Sequence, residues 1–114
     1  MPSPDAIRLR HVRQAVASAL ELAAGSQRSD LTSNMMLAMA LARCLEILGE
    51  AASKVSPEAR LRFSAIPFAK MVSMRNHLIH AYLDIDLDIV WTTVTDDLPS
   101  LLPVLDSALA EGDA

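Results

Sequence analysis

Apolar residues recur along this chain at three- and four-residue intervals, the spacing that gathers them on one side of a helix. Ile7, Val12, Val16, Ala19, Leu20 and Ala23 make the first such stripe. Ser3-Pro4-Asp5 precedes it: a capping hydroxyl, a proline at the first helical position and an acid at the positive helix end. Gly25 closes it. Residues 25–30, GSQRSD, read as a loop, after which Thr32 or Ser33 caps a long second helix running to about Lys54. Met35, Met36, Met39, Leu41, Leu45 and Leu48 are its apolar positions, the methionines being assigned to core filling. Ser56-Pro57-Glu58 repeats the cap-proline-acid pattern and opens a short helix over about 57–62. Ile66-Pro67 starts another, carrying Phe68, Met71, Val72, Leu78 and Ile79. Asp86, with Asp88 in the first turn behind it, caps a final helix that reaches about Leu109. Pro99 and Pro103 lie inside that helix and predict a kink or break near Leu98.

The pattern predicts an all-α fold, an antiparallel bundle of four main helices plus a short one, in a single domain over residues 1–114. Composition agrees, because Ala, Leu and Met dominate the apolar content and only three glycines interrupt them. A chain of this length buries a small core, so a partner surface would add to its stability. The single cysteine, Cys44, excludes an intrachain disulfide and sits in ALARCLEIL, where a buried structural thiol is expected. No apolar run approaches the ~20 residues of a membrane span, and MPSPDAIRLR has no signal-peptide core, so a cytoplasmic location is expected.

Charge divides the chain. Residues 54–80 carry Lys54, Arg60, Arg62, Lys70 and Arg75 against Glu58, whereas residues 81–114 carry eight acids and no Lys or Arg. A local basic field could therefore attract a phosphate chain despite the net charge of −4. Within that field lies RNHLIHAY, Arg75 to Tyr82, which holds two of the three histidines and the one tyrosine. At ~100° per residue, Asn76 and His80 share a helical face, while Arg75 and His80 diverge by ~140°. For both to serve one site, the helix must end or bend between them, the arginine must wrap round, or a two-fold dimer must bring two copies of the segment together. A metal site of His77, His80 and the acids Asp84, Asp86 and Asp88 is disfavoured by the adjacent Arg75 and by the missing elements of a calcium loop. Metal-free phosphodiester chemistry suits the residue types better. Histidine moves protons near neutral pH, and arginine offers a planar charged fork to phosphate oxygens. A salt-bridged Arg75 beside a merely packed His80 remains the competing reading.

The segment resembles a known family. Arg75-Asn76-x-x-x-His80-x-Tyr82 matches the R-x4-H core of HEPN-domain ribonucleases, in the extended R-x4-H-x-Y form of HepT-like toxins. The similarity continues through MRNHLIHAYLDIDLDIVW, LEILGEAA at 45–52, IPFAKM at 66–71 and DAIRLRHV at 5–12, and so spans nearly the whole chain in register. Phe68, Ser73 and Ala81-x-Leu83 depart from the common residues, which bears on cleft shape and substrate preference but removes no motif residue.

The resemblance implies a HEPN-like helical homodimer that cuts RNA at a shared cleft, with no metal or other cofactor. Carried onto this sequence, Arg75 stabilises the phosphate charge, His80 is the acid/base residue, Asn76 orients the group and Glu50 supports Arg75 from the neighbouring helix. It also implies a minimal nucleotidyltransferase antitoxin as partner, with Tyr82 as the adenylylation acceptor, since AMP adds charge and bulk beside the RNA site. The alternatives are a catalytically inactive HEPN module that binds a nucleotide or a partner, and a purely structural helical dimer. His11 and His77 are assigned to surface or packing positions.

Overall fold

A computed structural model describes residues 3–81 and 84–112. The chain forms α1 (Pro4–Ala23), α2 (Arg28–Ser33), α3 (Met35–Ser53), α4 (Pro57–Arg62), α5 (Phe68–Leu78), β1 (Ile79–Ala81), β2 (Asp84–Ile85), α6 (Leu87–Thr92), a π-helical turn (Thr93–Asp97) and α7 (Leu98–Gly112). The fold is all-α apart from the short β1–β2 hairpin.

The predicted caps at both cap-proline-acid signatures are present. Ser3 Oγ accepts the Ala6 N–H at 3.0 Å, and Ser56 Oγ accepts that of Ala59 at 3.2 Å. The two caps are linked, because the Asp5 carboxylate accepts both the Ser56 N–H (2.8 Å) and its Oγ–H (2.6 Å). This pins the start of α1 to the α3–α4 connection and sets the two long helices antiparallel. Arg60 closes the other side of that connection by donating to the carbonyls of Ala52, Ser53 and Val55, where α3 ends.

Helix α3 is the central element and packs against α1, α5, α6 and β2. Leu41, Leu45 and Leu48 are fully buried between Leu9, Val12 and Val16 of α1 on one side and Met71 and Leu78 of α5 on the other. Val90, Val94, Leu98, Leu101 and Leu105 of the final helical run complete the core.

Several expectations are corrected. GSQRSD is a loop only as far as Gln27: Arg28–Ser33 makes a short helix, with the Asp30 carboxylate accepting the Gln27 N–H at 2.7 Å and Leu31 buried. That helix consumes Thr32 and Ser33, so the α3 cap falls to Asn34, whose Oδ1 accepts the Leu37 N–H. Met35, Met36 and Met39 do not fill the core. They face outward, Met36 being 82% exposed, because the α3 surface turned to α1 and α5 begins at Ala38 and Leu41. Ile7, expected on the first stripe, is also exposed, and Ala6 and Leu9 take the buried positions. Cys44 is half-buried at the edge of the exposed α3 face, where desolvation pushes its thiol pKa up.

The expected break near Leu98 takes a specific form. The chain widens to a π turn at Thr93–Asp97, with the Leu98 N–H bonded to Thr93 O, and resumes as α-helix at Leu98 just before Pro99, ending at Gly112 instead of Leu109.

Ser56→Ala should lower stability by ~1–2 kcal/mol, since it removes a cap and a partner of Asp5 together. A urea melt followed by circular dichroism should show a lower midpoint at unchanged slope.

Candidate active site

Helix α5 stops at Leu78, between Arg75 and His80. Of the three arrangements weighed for the ~140° of divergence, the chain shows a helix end between the two residues, and Asn76 and His80 do not share a helical face. The chain leaves α5 into β1, whose pairing with β2 is irregular: Ile79 partners Ile85 and Ala81 partners Asp84. His80 is the extra residue of that register shift, and such bulges re-aim a side chain.

Arg75 lies in the last turn of α5, where its charge suits the negative helix end. Its Nη1 donates to Glu50 Oε2 at 2.6 Å, and its Nε and Nη2 donate to Asn76 Oδ1 at 3.2 and 3.0 Å. Glu50, on α3, is thus brought against Arg75, and Asn76 grips the other edge of the guanidinium. Three of its five N–H donors are engaged this way, which fixes the plane of the fork and leaves two directed elsewhere. The side chain is 26% exposed, enough to meet a ligand without losing its anchor.

This arrangement depends on Gly49. A Cβ there would lie 2.5 Å from Arg75 Cβ and 3.2 Å from the Met71 carbonyl oxygen. The α3 backbone can therefore approach α5 at this level only without a side chain, and Arg75 crosses directly over it. The Gly-Glu pair of LEILGEAA has a physical reading: the glycine admits the arginine and the next residue binds it.

His80 belongs to a second hydrogen-bond cluster. It is exposed, and its Nε2 lies 3.4 Å from Asp86 Oδ2. Asp86 is the α6 cap foreseen from the sequence, with Oδ1 accepting the Ile89 N–H at 3.1 Å. That amide holds Asp86 below the usual carboxylate pKa range, and His80 adds in the same direction against the opposing cost of partial burial. Gly49 and the histidine-facing role of Asp86 were not legible in the motif, because neither lies within R-x4-H. Tyr82 lies outside the described residues.

The basic segment proves largely committed to structure. Lys54 pairs with Glu50 (3.8 Å), Lys70 with Asp97 (3.1 Å), Arg60 binds the end of α3, and Arg62 donates to the Glu111 carbonyl while stacking over Phe63. On the α5–α6 side, an open groove of about 580 Å³ is lined by Asp86, Asp88 and Asp97 as well as Lys70 and His77. The three acids disfavour an anion in this groove. His77 Nδ1 lies 2.8 Å from the Ser73 carbonyl oxygen of its own helix, a contact in which the ring N–H donates, and His11 is exposed on α1. Among the described residues no cluster of acids, histidines and cysteine is arranged to hold a metal ion, and no helix is long and apolar enough to cross a membrane.

Comparison with known proteins places the site in context. Residues 12–108 match the family described as "Ribonuclease HepT-like". A candidate RNase of Caldanaerobacter subterraneus subsp. tengcongensis is 32% identical over 93 residues, covering 82% of this chain and 83% of the relative. The "Probable ribonuclease HepT" of Thermococcus cleftensis is 36% identical over 90 residues, covering 75% and 82%. No solved structure matches the chain with comparable strength. The chain belongs to the HepT-like ribonuclease family, the family its sequence resembles.

Gly49→Ala should cost ~1–3 kcal/mol through overpacking, in contrast to a near-neutral Ala69→Gln at an exposed helical position. Chemical denaturation of both variants checks the difference.

Proposed function

We propose that this chain is a metal-independent endoribonuclease toxin acting in the cytoplasm, working as a homodimer with the R-x4-H segments at a shared cleft. The observation that carries the reading is the end of α5 at Leu78. It leaves Arg75 on the last helical turn, with N–H groups to spare, and His80 on the bulge immediately beyond. Family membership supports RNA as the substrate class.

The chemistry follows from the side chains. A neutral His80 takes the proton of an RNA 2′-hydroxyl, and the 2′-oxygen forms a bond to the adjacent phosphorus. Arg75 donates to the phosphate oxygens as negative charge builds, with Glu50 and Asn76 holding its fork in place. The P–O5′ bond breaks, and the 5′-oxygen takes a proton from a protonated His80 of the partner subunit. The products are a 2′,3′-cyclic phosphate and a 5′-hydroxyl. One chain has a single histidine of this motif, so the second proton-transfer role supports a dimer.

The outward face of α3 supports it too. Met36, Met39, Arg43, Ile47 and Glu50 fall within about 80° of one another on an ideal helix. Met36, Met39 and Ile47 are exposed, and the stripe leads to Glu50, the anchor of Arg75. A two-fold contact along this stripe would bury apolar surface and bring the two Arg75 sites together.

Regulation is assigned to a minimal nucleotidyltransferase antitoxin that adenylylates Tyr82, two residues beyond His80. The added phosphate charge and bulk would oppose RNA binding at Arg75.

RNA cleavage should persist in excess chelator and fall by ~10²–10⁴-fold in His80→Ala, measured on a labelled oligoribonucleotide with helicity matched by circular dichroism. The double substitution Met36→Glu/Met39→Glu should convert a dimer to a monomer in light scattering and abolish cleavage without loss of helix. Chelator-sensitive cleavage, or full activity in H80A, would sink the mechanism.

A further inference from the structure

The two oxygens of Asp86 have different partners. Oδ1 is committed to the α6 cap, accepting the Ile89 N–H at 3.1 Å, while Oδ2 faces His80 Nε2 at 3.4 Å. The residue is also fixed through its backbone, since the Asp86 N–H donates to Leu78 O at 2.8 Å, the last residue of α5. The residue is therefore tied through its backbone to the end of α5, and through its carboxylate to the start of α6 and the histidine carried on the bulge between them. An ionised carboxylate only accepts, so the Nε2 that faces it must carry the hydrogen, which leaves the lone pair of a neutral imidazole on Nδ1.

We propose that Asp86 is the positioning residue of His80: it holds the Nε2–H tautomer and so makes Nδ1 the atom that exchanges protons with the substrate. This rests on the reading of His80 as the acid/base residue. The neighbouring charged groups are Asp84 on β2, Arg75 and His77 at the end of α5, Glu50 of α3 on Arg75, and Asp88 of α6, which binds Arg28 of α2 at 2.9 Å. Glu50 and Asp88 are thus occupied by arginines. Of the acids near the bulge, Asp86 makes the contact with the imidazole.

Asp86→Asn isolates the effect. Asparagine caps a helix as well as aspartate does, so its amide oxygen can keep the Ile89 N–H. The amide nitrogen then faces Nε2 and donates to it, forcing the hydrogen onto Nδ1, where it blocks proton acceptance. The same loss of tautomer control is seen when the aspartate of a Ser-His-Asp triad becomes asparagine. Asp86→Ser serves as a second variant, because serine keeps a cap but is too short to reach the imidazole.

The test is imidazole nitrogen NMR of the 15N-labelled full chain at a pH where His80 is neutral, together with kcat and KM on an oligoribonucleotide. The expected result is an Nε2–H signature in the unsubstituted protein and an Nδ1–H signature in D86N. kcat should fall by ~10²-fold in D86N at nearly unchanged KM, and less in D86S. An Nδ1–H signature in the unsubstituted protein, or the same tautomer and kcat in all three, would overturn the proposal. If the unsubstituted protein cleaves no RNA, the function above fails, while the nitrogen signatures still decide whether Asp86 controls the histidine.

Discussion

The close approach of α3 and α5 at Gly49 is the constraint on which the rest of this molecule depends. With no side chain at that level, Arg75 can lie across the α3 backbone and meet Glu50 one residue later. The same approach brings Leu45 and Leu48 into one buried core with Met71 and Leu78. Interior packing at crystal-like density tolerates little displacement, so the position of the guanidinium follows from the position of the helix. Core and candidate site share one contact, and the site inherits the rigidity of the core.

Two departures from regular helix shape the rest. The β1–β2 hairpin ends α5 and turns His80 out on a bulge, where its ring meets a carboxylate already committed to capping α6. The π turn at Thr93–Asp97 spares the final helix a break at Pro99, so that Val94, Leu98 and Leu101 all reach the core. Local irregularity in both places serves a geometric purpose: one re-aims a side chain, the other preserves a buried face.

Electrostatics is more local than the charge distribution along the chain suggests. The basic residues of 54–80 are distributed among helix ends, ion pairs and aromatic faces, and only part of their charge is turned to a ligand. Arg75 keeps open donors because Glu50 and Asn76 hold it by one edge each. A groove with three acids lies on the α6 side, and the Arg75 guanidinium lies against α3.

Much of this was legible in the chain itself. The cap-proline-acid signatures at Ser3 and Ser56, the Asp86 cap and the helical stripes through Val12, Val16, Leu41 and Leu45 are local or periodic, and short-range physics governs both. The motif and its flanking text carried the family in the same way. Other features needed tertiary structure. Met36 and Leu41 are equally apolar as letters, and only the placement of α1 and α5 decides which side of α3 is covered. The second half of GSQRSD becomes helical as Leu31 finds a buried place, an outcome its polar composition does not announce. The Asp86–His80 contact crosses a hairpin, and the Gly49–Arg75 contact joins residues on two helices. Sequence alone determined the long helices, the caps at Ser3, Ser56 and Asp86, and the family; tertiary structure decided which faces are covered and which side chains meet, because those depend on distances between elements that no local pattern encodes.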